Sequence, residues 1–391
     1  MRSVFLVWAL VVSACTSTTP SSSSSPQQTS NQPAPFQITD KLFNPSNPDT
    51  LGLTKPADIK HHRVFIAQAG SAQYNHGAVL FPFKGELFIQ WQSSQQDEDA
   101  PETKILFSRS NNGSNWSQAK TLVPARSDAL VTNGGWWSDG KILIAYINVW
   151  PHNQDPKGGY TEYITSEDGN NWSAPKRLLD NNNQPIAGVI EQDLKQLPSG
   201  RILTAIHHQP GLIAKPFYTD DSTGLRGWTQ GKMENLPHQP SISRELEPSW
   251  FLTAQQNPVM VFRDQGSSFT VLASISKDNG NSWSKPAATN MPDSRAKQSA
   301  GNLPDGRAFI VNNPSGSKTR TPLTITISND GETFDRAFLL RSESELPPML
   351  YEGKYKRIGY SYPKSIVWNK RVWVSYAVNK EDIEVTEVII H

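Results

Sequence analysis

Short runs of β-branched and aromatic residues recur along the chain, and each follows a turn. The runs are GELFIQW (85–91), GKILIAYI (140–147), GRILTAI (200–206), NPVMVFRD (257–264), GRAFIVN (306–312) and KRVWVSYAV (370–378). Runs of this composition and length, bounded by turn residues, predict buried β-strands. Long amphipathic helical patterns are absent from the sequence, so the pattern predicts an all-β chain.

A second repeat interleaves with these strands. The stretch SISKDNGNSWSKP carries Ser276, Asp278, Gly280 and Trp283, and related stretches end in an aromatic residue at positions 116, 172, 228 and 334. Counted together, the aromatic ends lie 51 to 56 residues apart. A period of about 50 residues with β patterning predicts a propeller in which each blade is a four-stranded sheet. Six buried strands over residues 63–391 therefore predict a six-bladed β-propeller of antiparallel blades.

The repeated motif has residue types found in catalytic sites and metal-binding loops, but its recurrence favours a structural role. Asp-Gly and Asn-Gly centres suit tight hairpin turns with positive φ. The aspartate can accept backbone N–H bonds across its own turn, and the tryptophan can pack beneath the hairpin. Because a motif present in several blades cannot be a single active site, we interpret it as scaffold.

The N-terminus predicts export and attachment to a membrane. MRSVFLVWALVVSAC has one cation, a short apolar run and small residues before Cys15, the only cysteine. This pattern is typical of a signal peptide over residues 1–15, and V-S-A-C resembles a bacterial lipobox with Cys15 as the lipidated residue. The alternative is an ordinary cleaved signal with an incidental cysteine. The Ser/Thr/Pro-rich residues 16–35 predict a disordered tether, which leaves 36–391 for the propeller.

Charge narrows the range of partners. With 37 basic and 36 acidic side chains the formal net charge is +1, so no general nucleic-acid or anionic-membrane surface is expected. Membrane contact is expected only through the N-terminal lipid, which implies the bacterial cell envelope, at the outer membrane or in the periplasm or cell surface. The sequence has no metal-ligand spacing, so no metal or cofactor is expected, and we expect a monomer.

The repeats S-x-D-(x)-G-x-x-W/F on a six-bladed plan resemble the Asp-box, or BNR, repeats of the sialidase superfamily. The resemblance covers residues 63–391. It implies a glycan or polysaccharide substrate and a site at the axial ends of the inner strands. There an arginine cluster would hold a carboxylate, a tyrosine paired with a glutamate would be the nucleophile, and a loop aspartate would be the acid/base.

Five positions in blades four to six match this pattern. Glu247 begins an inner strand and Arg263 ends its return strand, as the paired glutamate and second arginine would. Arg320 lies before a strand that leads into an Asp box, like the third arginine. Tyr362 stands where the nucleophile would be, with Tyr360 beside it as a second candidate at the site. Each could instead be a structural or solvated residue.

Blade one departs from the family pattern, and blade three adds two candidates. Blade one lacks the R-I-P arginine and has His76 in that neighbourhood, followed by an acidic loop in which Asp99 or Asp97 would be the acid/base. In blade three, Glu191 matches the glutamate of blade four, and His207 matches its arginine. The missing arginine makes an ordinary sialic acid less secure as the substrate.

Three hypotheses follow. The leading one is a sialidase-like glycoside hydrolase, exo-acting on a carboxylated or sulfated sugar. The second is a propeller polysaccharide lyase that acts on uronate-containing chains with histidine, tyrosine and arginine. The third is a non-catalytic surface glycan-binding protein. Convergence of Glu247, Arg263, Arg320 and Tyr362 on one axial pocket is expected for the hydrolase but not for the binding protein.

Overall fold

Six antiparallel sheets follow one another along the chain in the computed structural model, which describes residues 33–153 and 158–391. The predicted signal peptide and Cys15 lie outside the described residues, as does the predicted tether apart from residues 33–35. The strands are β1 (Gln37–Ile38), β2 (Ile59–Phe65), β3 (Tyr74–Phe83), β4 (Glu86–Ser94), β5 (Lys104–Ser110), β6 (Lys120–Val123), β7 (Ala129–Ser138), β8 (Leu143–Pro151), β9 (Tyr160–Ser166), β10 (Lys176–Arg177), β11 (Gly188–Ile190), β12 (Lys195–Gln196), β13 (Ile202–His208), β14 (Ile213–Thr219), β15 (Thr229–Gln230), β16 (Glu245–Leu252), β17 (Pro258–Asp264), β18 (Thr270–Ile275), β19 (Ala287–Pro292), β20 (Ser299–Asn302), β21 (Ala308–Asn312), β22 (Leu323–Ser328), β23 (Thr333–Arg341), β24 (Tyr360–Trp368), β25 (Arg371–Val378) and β26 (Asp382–Val388). In this part of the chain the one helical element is a 3₁₀ turn at Glu343–Glu345, so no described helix has the length and apolarity to span a bilayer.

The sheets form the six blades of a propeller, which confirms the predicted fold class. Blades one, two and four are the sheets β3–β6, β7–β10 and β16–β19. The inner strand of blade three is divided into β11 and β12, because residues 191–194 leave the ladder between two segments that both pair with β13. Blade five, β20–β23, gains β1 as a fifth, parallel strand. All six predicted buried strands are the second strands of their blades.

The ring closes through the N-terminal part of the domain. Strand β2 pairs antiparallel with β26 and completes blade six, whose other strands are β24 and β25. Apolar side chains then fill the spaces between neighbouring blades. Between blades six and one, for example, Trp373 packs in one cluster with Trp91 and Ile89. Blade six is therefore completed by strand pairing with the N-terminal β2, and a shared core packs it against blade one.

The repeated boxes are turns between the third and fourth strands of a blade. In the blade-four box, Ser276 Oγ donates to Asp278 Oδ1 at 2.9 Å and accepts from the Gly280 N–H at 2.9 Å. The same carboxylate oxygen accepts from the Ser282 N–H at 2.8 Å, and the Trp283 indole donates back to the Gly280 carbonyl at 3.1 Å. The polar side chains of the motif thus form their hydrogen bonds within the turn, which supports the interpretation of the motif as scaffold.

Candidate active site

Bulges in the inner strands turn polar side chains toward one end of the propeller axis. The pairing register shifts between Leu246 and Ser249 in β16 and between Ser361 and Lys364 in β24. Within these bulges Glu247 and Tyr362 have φ of 54° and 55°, a left-handed conformation that L residues adopt at a cost. Because a bulge re-aims its side chain, both residues line a cavity at the end of the propeller axis, here called the axial cavity.

Glu247, Arg263 and Tyr362 form one connected group. The Tyr362 hydroxyl donates to Glu247 Oε1 at 2.6 Å. Arg263 Nη1 donates to the same hydroxyl at 2.9 Å and lies 2.8 Å from Glu247 Oε2. Three of the residues predicted from the blade pattern therefore meet within hydrogen-bonding distance.

The charges of this group are set by burial and by one another. Burial would raise the pKa of Glu247, but Arg263 and the hydrogen bond from Tyr362 outweigh it and hold that pKa below its ordinary value. Burial and the nearby Glu247 raise the pKa of Tyr362. At neutral pH the group is therefore a phenol bonded to a carboxylate, with the guanidinium beside both. This is the arrangement in which a base can take the proton of a tyrosine nucleophile.

Arg320 and His76 complete the surroundings of Tyr362. The Arg320 guanidinium lies 5.3 Å from the centre of the Tyr362 ring and donates to Ser361 Oγ at 2.9 Å. The His76 ring centre is 4.2 Å from that of Tyr362, and neither of its ring nitrogens has a hydrogen-bond partner among the described residues. Burial and then the surrounding cations lower the pKa of His76 well below its ordinary range, so the imidazole is neutral.

The three acidic residues of the loop after β4 have different positions relative to the site. Asp99 lines the axial cavity. Asp97 instead accepts the backbone N–H of Lys354 at 2.7 Å, so its carboxylate fastens the loop to the segment that precedes β24. Glu98, between them, forms an ion pair with Lys380. The structure therefore separates the two predicted acid/base candidates and leaves Asp99 at the cavity.

In blade three, both predicted residues face the axis. Glu191 forms a buried ion pair with Lys297 of blade five, and both line the axial cavity. His207 Nε2 accepts the backbone N–H of Glu247 at 3.3 Å. Burial lowers the pKa of His207, which fits an unprotonated acceptor nitrogen. His207 therefore positions the Glu247 segment, and Glu191 and His207 both line the axial cavity.

Tyr360 lies away from the other candidate site residues, although it was expected to contact the substrate. Its side chain is fully buried in the core between blades five and six. The hydroxyl donates to the Ser342 carbonyl at 3.0 Å, and the ring packs edge-on against Tyr376. Tyr360 therefore has a packing role.

Two cavities open on either side of Tyr362. The axial cavity, of about 440 Å³, also contains His76, Glu191, His207 and Lys297 in its walls. A second cavity of about 360 Å³ is here called the basic chamber. Its walls are Glu98, Arg263, Gln265, Ser294, Arg295, Lys318, Arg320, Tyr355, Arg357, Tyr362 and Lys380. Glu98, Arg263 and Tyr362 line both cavities.

Several residues of these walls carry no signal in the sequence. Lys297 and Lys380 are isolated lysines outside any motif, and Arg295, Lys318 and Arg357 lie in loops whose cations would ordinarily be solvated. Lys297 could have been found by extending the comparison of inner strands to blade five, because it falls just before β20. Among the described residues, no group of three or more His, Cys, Asp or Glu side chains is placed to hold a metal ion.

The six-bladed propeller and its repeated Asp boxes confirm the predicted resemblance to proteins built from BNR repeats. The chain belongs to the BNR repeat-like domain family, which matches residues 85–374. No curated protein matches the chain by sequence.

Solved structures with similar folds include several sialidases. A structure described as a sialidase is 19% identical with a TM-score of 0.60, and the match covers 91% of this chain but only 35% of that one. A Hadza microbial sialidase, Hz136, is 14% identical with a TM-score of 0.66, covering 84% and 68% of the two chains. A protein of unknown function from Dyadobacter fermentans is 15% identical with a TM-score of 0.66, covering 86% and 100%. These likenesses show the fold.

Proposed function

We propose that the protein is a glycoside hydrolase that removes an acidic, carboxylated or sulfated, sugar from the end of a glycan or polysaccharide. The observation that carries this is the short Tyr362–Glu247 hydrogen bond beside Arg263, at the junction of two cavities. A purely binding propeller has no need for a phenol paired with a partly buried carboxylate. The sialidase fold of the neighbours supports the reaction class.

The reaction would proceed in two steps. In the first, Tyr362 Oη attacks the anomeric carbon, its proton passes to Glu247, and Asp99 protonates the leaving oxygen as the glycosidic bond breaks. In the second, Asp99 takes a proton from water, which displaces the sugar from Tyr362, and Glu247 returns the proton to the phenolate. A tyrosine nucleophile is a known departure from the two-carboxylate scheme of glycosidases. Arg263 stabilises the negative charge that develops on Oη.

Substrate binding would depend on the cations around Tyr362. Arg263 and Arg320 present guanidinium groups that can hold a carboxylate or sulfate in a bidentate manner. His76 stands where blade one lacks an arginine and, being neutral, would donate a single hydrogen bond to the sugar. We therefore expect a substrate related to, but different from, an ordinary sialic acid.

A uronate lyase is the second candidate, and His76 is the observation that favours it. A neutral histidine whose two ring nitrogens have no partner in the described part of the chain, 4.2 Å from the Tyr362 ring, could abstract a proton beside a carboxylate that Arg263 and Arg320 neutralise. Tyr362 would then donate a proton to the leaving oxygen. This reaction leaves an unsaturated uronate, whereas hydrolysis does not.

One incubation distinguishes the candidates. The protein is mixed separately with sialoglycans and with uronate-rich polysaccharides, and released reducing sugar and the ultraviolet absorbance of unsaturated uronate are followed together. Reducing sugar without absorbance supports the hydrolase. Growth of absorbance supports the lyase, and no reaction with either group contradicts both.

Bacterial envelope attachment remains a separate proposal that rests on the sequence of residues 1–15 alone. Lipidation of Cys15 would place the propeller at the cell envelope, where polymeric glycans are accessible. Metabolic labelling with a clickable fatty acid tests it: label is expected on the wild-type protein and should disappear with Cys15→Ala. Label retained by that variant would exclude Cys15 as the acceptor.

A further inference from the structure

The basic chamber has more positive charge than the proposed reaction uses. Six cationic side chains and one carboxylate, Glu98, line it, in a chain whose formal net charge is only +1. Glu98 neutralises Lys380, and Glu247 neutralises Arg263. Arg320 is already assigned to the acidic group of the first sugar, so the cations without an assigned role are Arg295, Lys318 and Arg357. Neither these three nor Arg320 forms an ion pair within residues 33–153 and 158–391.

Arg320 shows that this charge is not simply solvated. It is only 8% exposed, yet its described hydrogen bond goes to a neutral hydroxyl, that of Ser361. Burial, together with the nearby Arg263, lowers the pKa of Arg320. A buried guanidinium without a carboxylate is costly in isolation, and an anion in the chamber would offset that cost.

The outer wall of the chamber adds an aromatic surface. Tyr355 lies in the segment before β24, at a φ of 61°, and is 53% exposed. The Lys354 ammonium is 5.0 Å from its ring centre. An exposed tyrosine beside cations can provide both an apolar face for a sugar ring and donors for its charged substituents. Lys318 and Arg357, which are both exposed, lie in the same wall.

We propose that the basic chamber is a second saccharide subsite, which binds an anionic sugar unit next to the one held at Tyr362. Lys318, Arg357 and Arg295 would bind its sulfate or carboxylate group, and Tyr355 would pack against its ring. This rests on the proposed function for the role of Tyr362 and deepens it. The substrate would be an oligosaccharide or polysaccharide with charges on adjacent units.

Binding measurements test the subsite without requiring turnover. Affinity is measured by calorimetry for three oligosaccharides of equal length: a heparin fragment, which is sulfated; an oligogalacturonate, which is carboxylated; and a neutral maltooligosaccharide. All proteins carry Tyr362→Phe so that no substrate is consumed. The test variant is Lys318→Ala/Arg357→Ala. The charge-preserving variant is Lys318→Arg/Arg357→Lys, and the remote control is Lys176→Ala/Lys277→Ala, which removes two exposed lysines that line neither cavity.

We expect at least one anionic oligosaccharide to bind, and the test variant to bind it roughly ten-fold or more weakly, because charge-assisted hydrogen bonds are lost. The charge-preserving and remote variants should stay close to the parent. High salt should weaken binding to the parent more than to the test variant, because fewer charges remain to be screened in the variant. Binding of the heparin fragment alone would identify sulfate as the group, and binding of the oligogalacturonate alone would identify carboxylate.

Equal affinity of the parent and test proteins, or binding of the neutral oligosaccharide as tight as that of the anionic ones, would overturn the proposal. Failure of the hydrolase proposal would be seen in a different experiment. The wild-type protein would then show no turnover in the incubation with glycans, while these affinities would be unaffected. Thermal unfolding of each variant confirms that it is folded. Both substituted residues are exposed and make no ion pair in the described part of the chain, so their removal should leave the fold intact.

Discussion

At the scale of single residues, the backbone of the site is strained where the chemistry is proposed. Glu247 and Tyr362 both lie in the left-handed region, which costs an L residue about 1–2 kcal/mol. The bulges of β16 and β24 impose these conformations. As a result, the Tyr362 phenol and the Glu247 carboxylate lie 2.6 Å apart. Strain of this kind is concentrated at functional sites in many proteins.

Asp99 is expected to be the acid/base, and Asp97 provides a matched control from the same loop. Asp99→Asn should lower kcat by about 10²–10⁴-fold, with a smaller loss on substrates whose leaving group needs no protonation. Asp97→Asn should remain close to wild type, because its amide oxygen can still accept the Lys354 N–H. Steady-state kinetics with activated and unactivated glycosides measures both. Equal losses in the two variants would show that the loop acts only through its conformation.

The blade pattern located the central group from the sequence, but not every side chain in it. Glu247, Arg263 and Tyr362 were expected from the resemblance to sialidases, once the Asp boxes had set the blade frame. Tyr360 was a candidate with Tyr362 because the resemblance implies a nucleophile in that stretch of blade six, and on a regular strand residues two apart would share a face. The bulge after Ser361 breaks that alternation, leaving Tyr360 in the core and turning Tyr362 to the axis. No sequence pattern signals this bulge.

At the scale of elements, the Asp-box turns join neighbouring blades. A Cβ added at Gly113, in the blade-one box, would lie 2.2 Å from the Trp373 ring of blade six, and Gly113 has a φ of 74°. Gly140, in the hairpin between β7 and β8, has a φ of 87° and open space around it. The two glycines therefore share a backbone conformation and differ in their contacts.

Replacing each glycine by alanine separates strain from packing. Gly140→Ala should lower the free energy of unfolding by about 1 kcal/mol, the cost of a left-handed alanine. Gly113→Ala should lower it by a further 1–3 kcal/mol or so, since Trp373 must move at the junction that closes the ring. Denaturant unfolding measures the difference. Equal destabilisation would mean that the box does not hold blade one against blade six.

Asp293 leads to a pH-dependent prediction for the turn before β20. Burial raises its pKa to about 6, although Asn312 and backbone N–H groups oppose the shift. Because the folded pKa lies above the ordinary value of 3.8, the folded state binds the proton more tightly, and stability falls as pH rises from about 4 to 6. Asp293→Asn should therefore stabilise the protein above pH 6, by up to about 3 kcal/mol.

The same substitution should have little effect below pH 4, where Asp293 is already protonated in the folded protein. Asp335→Asn, at an exposed position of β23, serves as the control and should have no comparable effect at either pH. Unfolding curves at both pH values provide the measurement. A stabilisation that is independent of pH would contradict the assignment of the buried charge.

At the scale of the whole molecule, periodicity predicted the fold and the number of blades, because a blade repeats as one unit along the chain. How the ring closes could not be predicted. Strand β2 joins β26 across more than 300 residues, and β1 extends blade five. Such pairings depend on which edge is free in the finished ring, and a local pattern does not contain that information. The basic chamber could not be predicted either, because its cations come from separate loops.

The central claim is that Tyr362, activated by Glu247, performs the chemistry. Tyr362→Phe and Tyr360→Phe remove one hydroxyl each, two residues apart. They are compared with the wild type on aryl glycosides of sialic and uronic acids, with thermal unfolding measured in parallel. We expect Tyr362→Phe to lose at least about 10³-fold in kcat/KM, or roughly 4 kcal/mol of transition-state stabilisation, and to remain folded. Tyr360→Phe should lower stability by about 1 kcal/mol through its lost bond to the Ser342 carbonyl, and retain its activity. Hydrolysis by Tyr362→Phe at the wild-type rate would contradict the account.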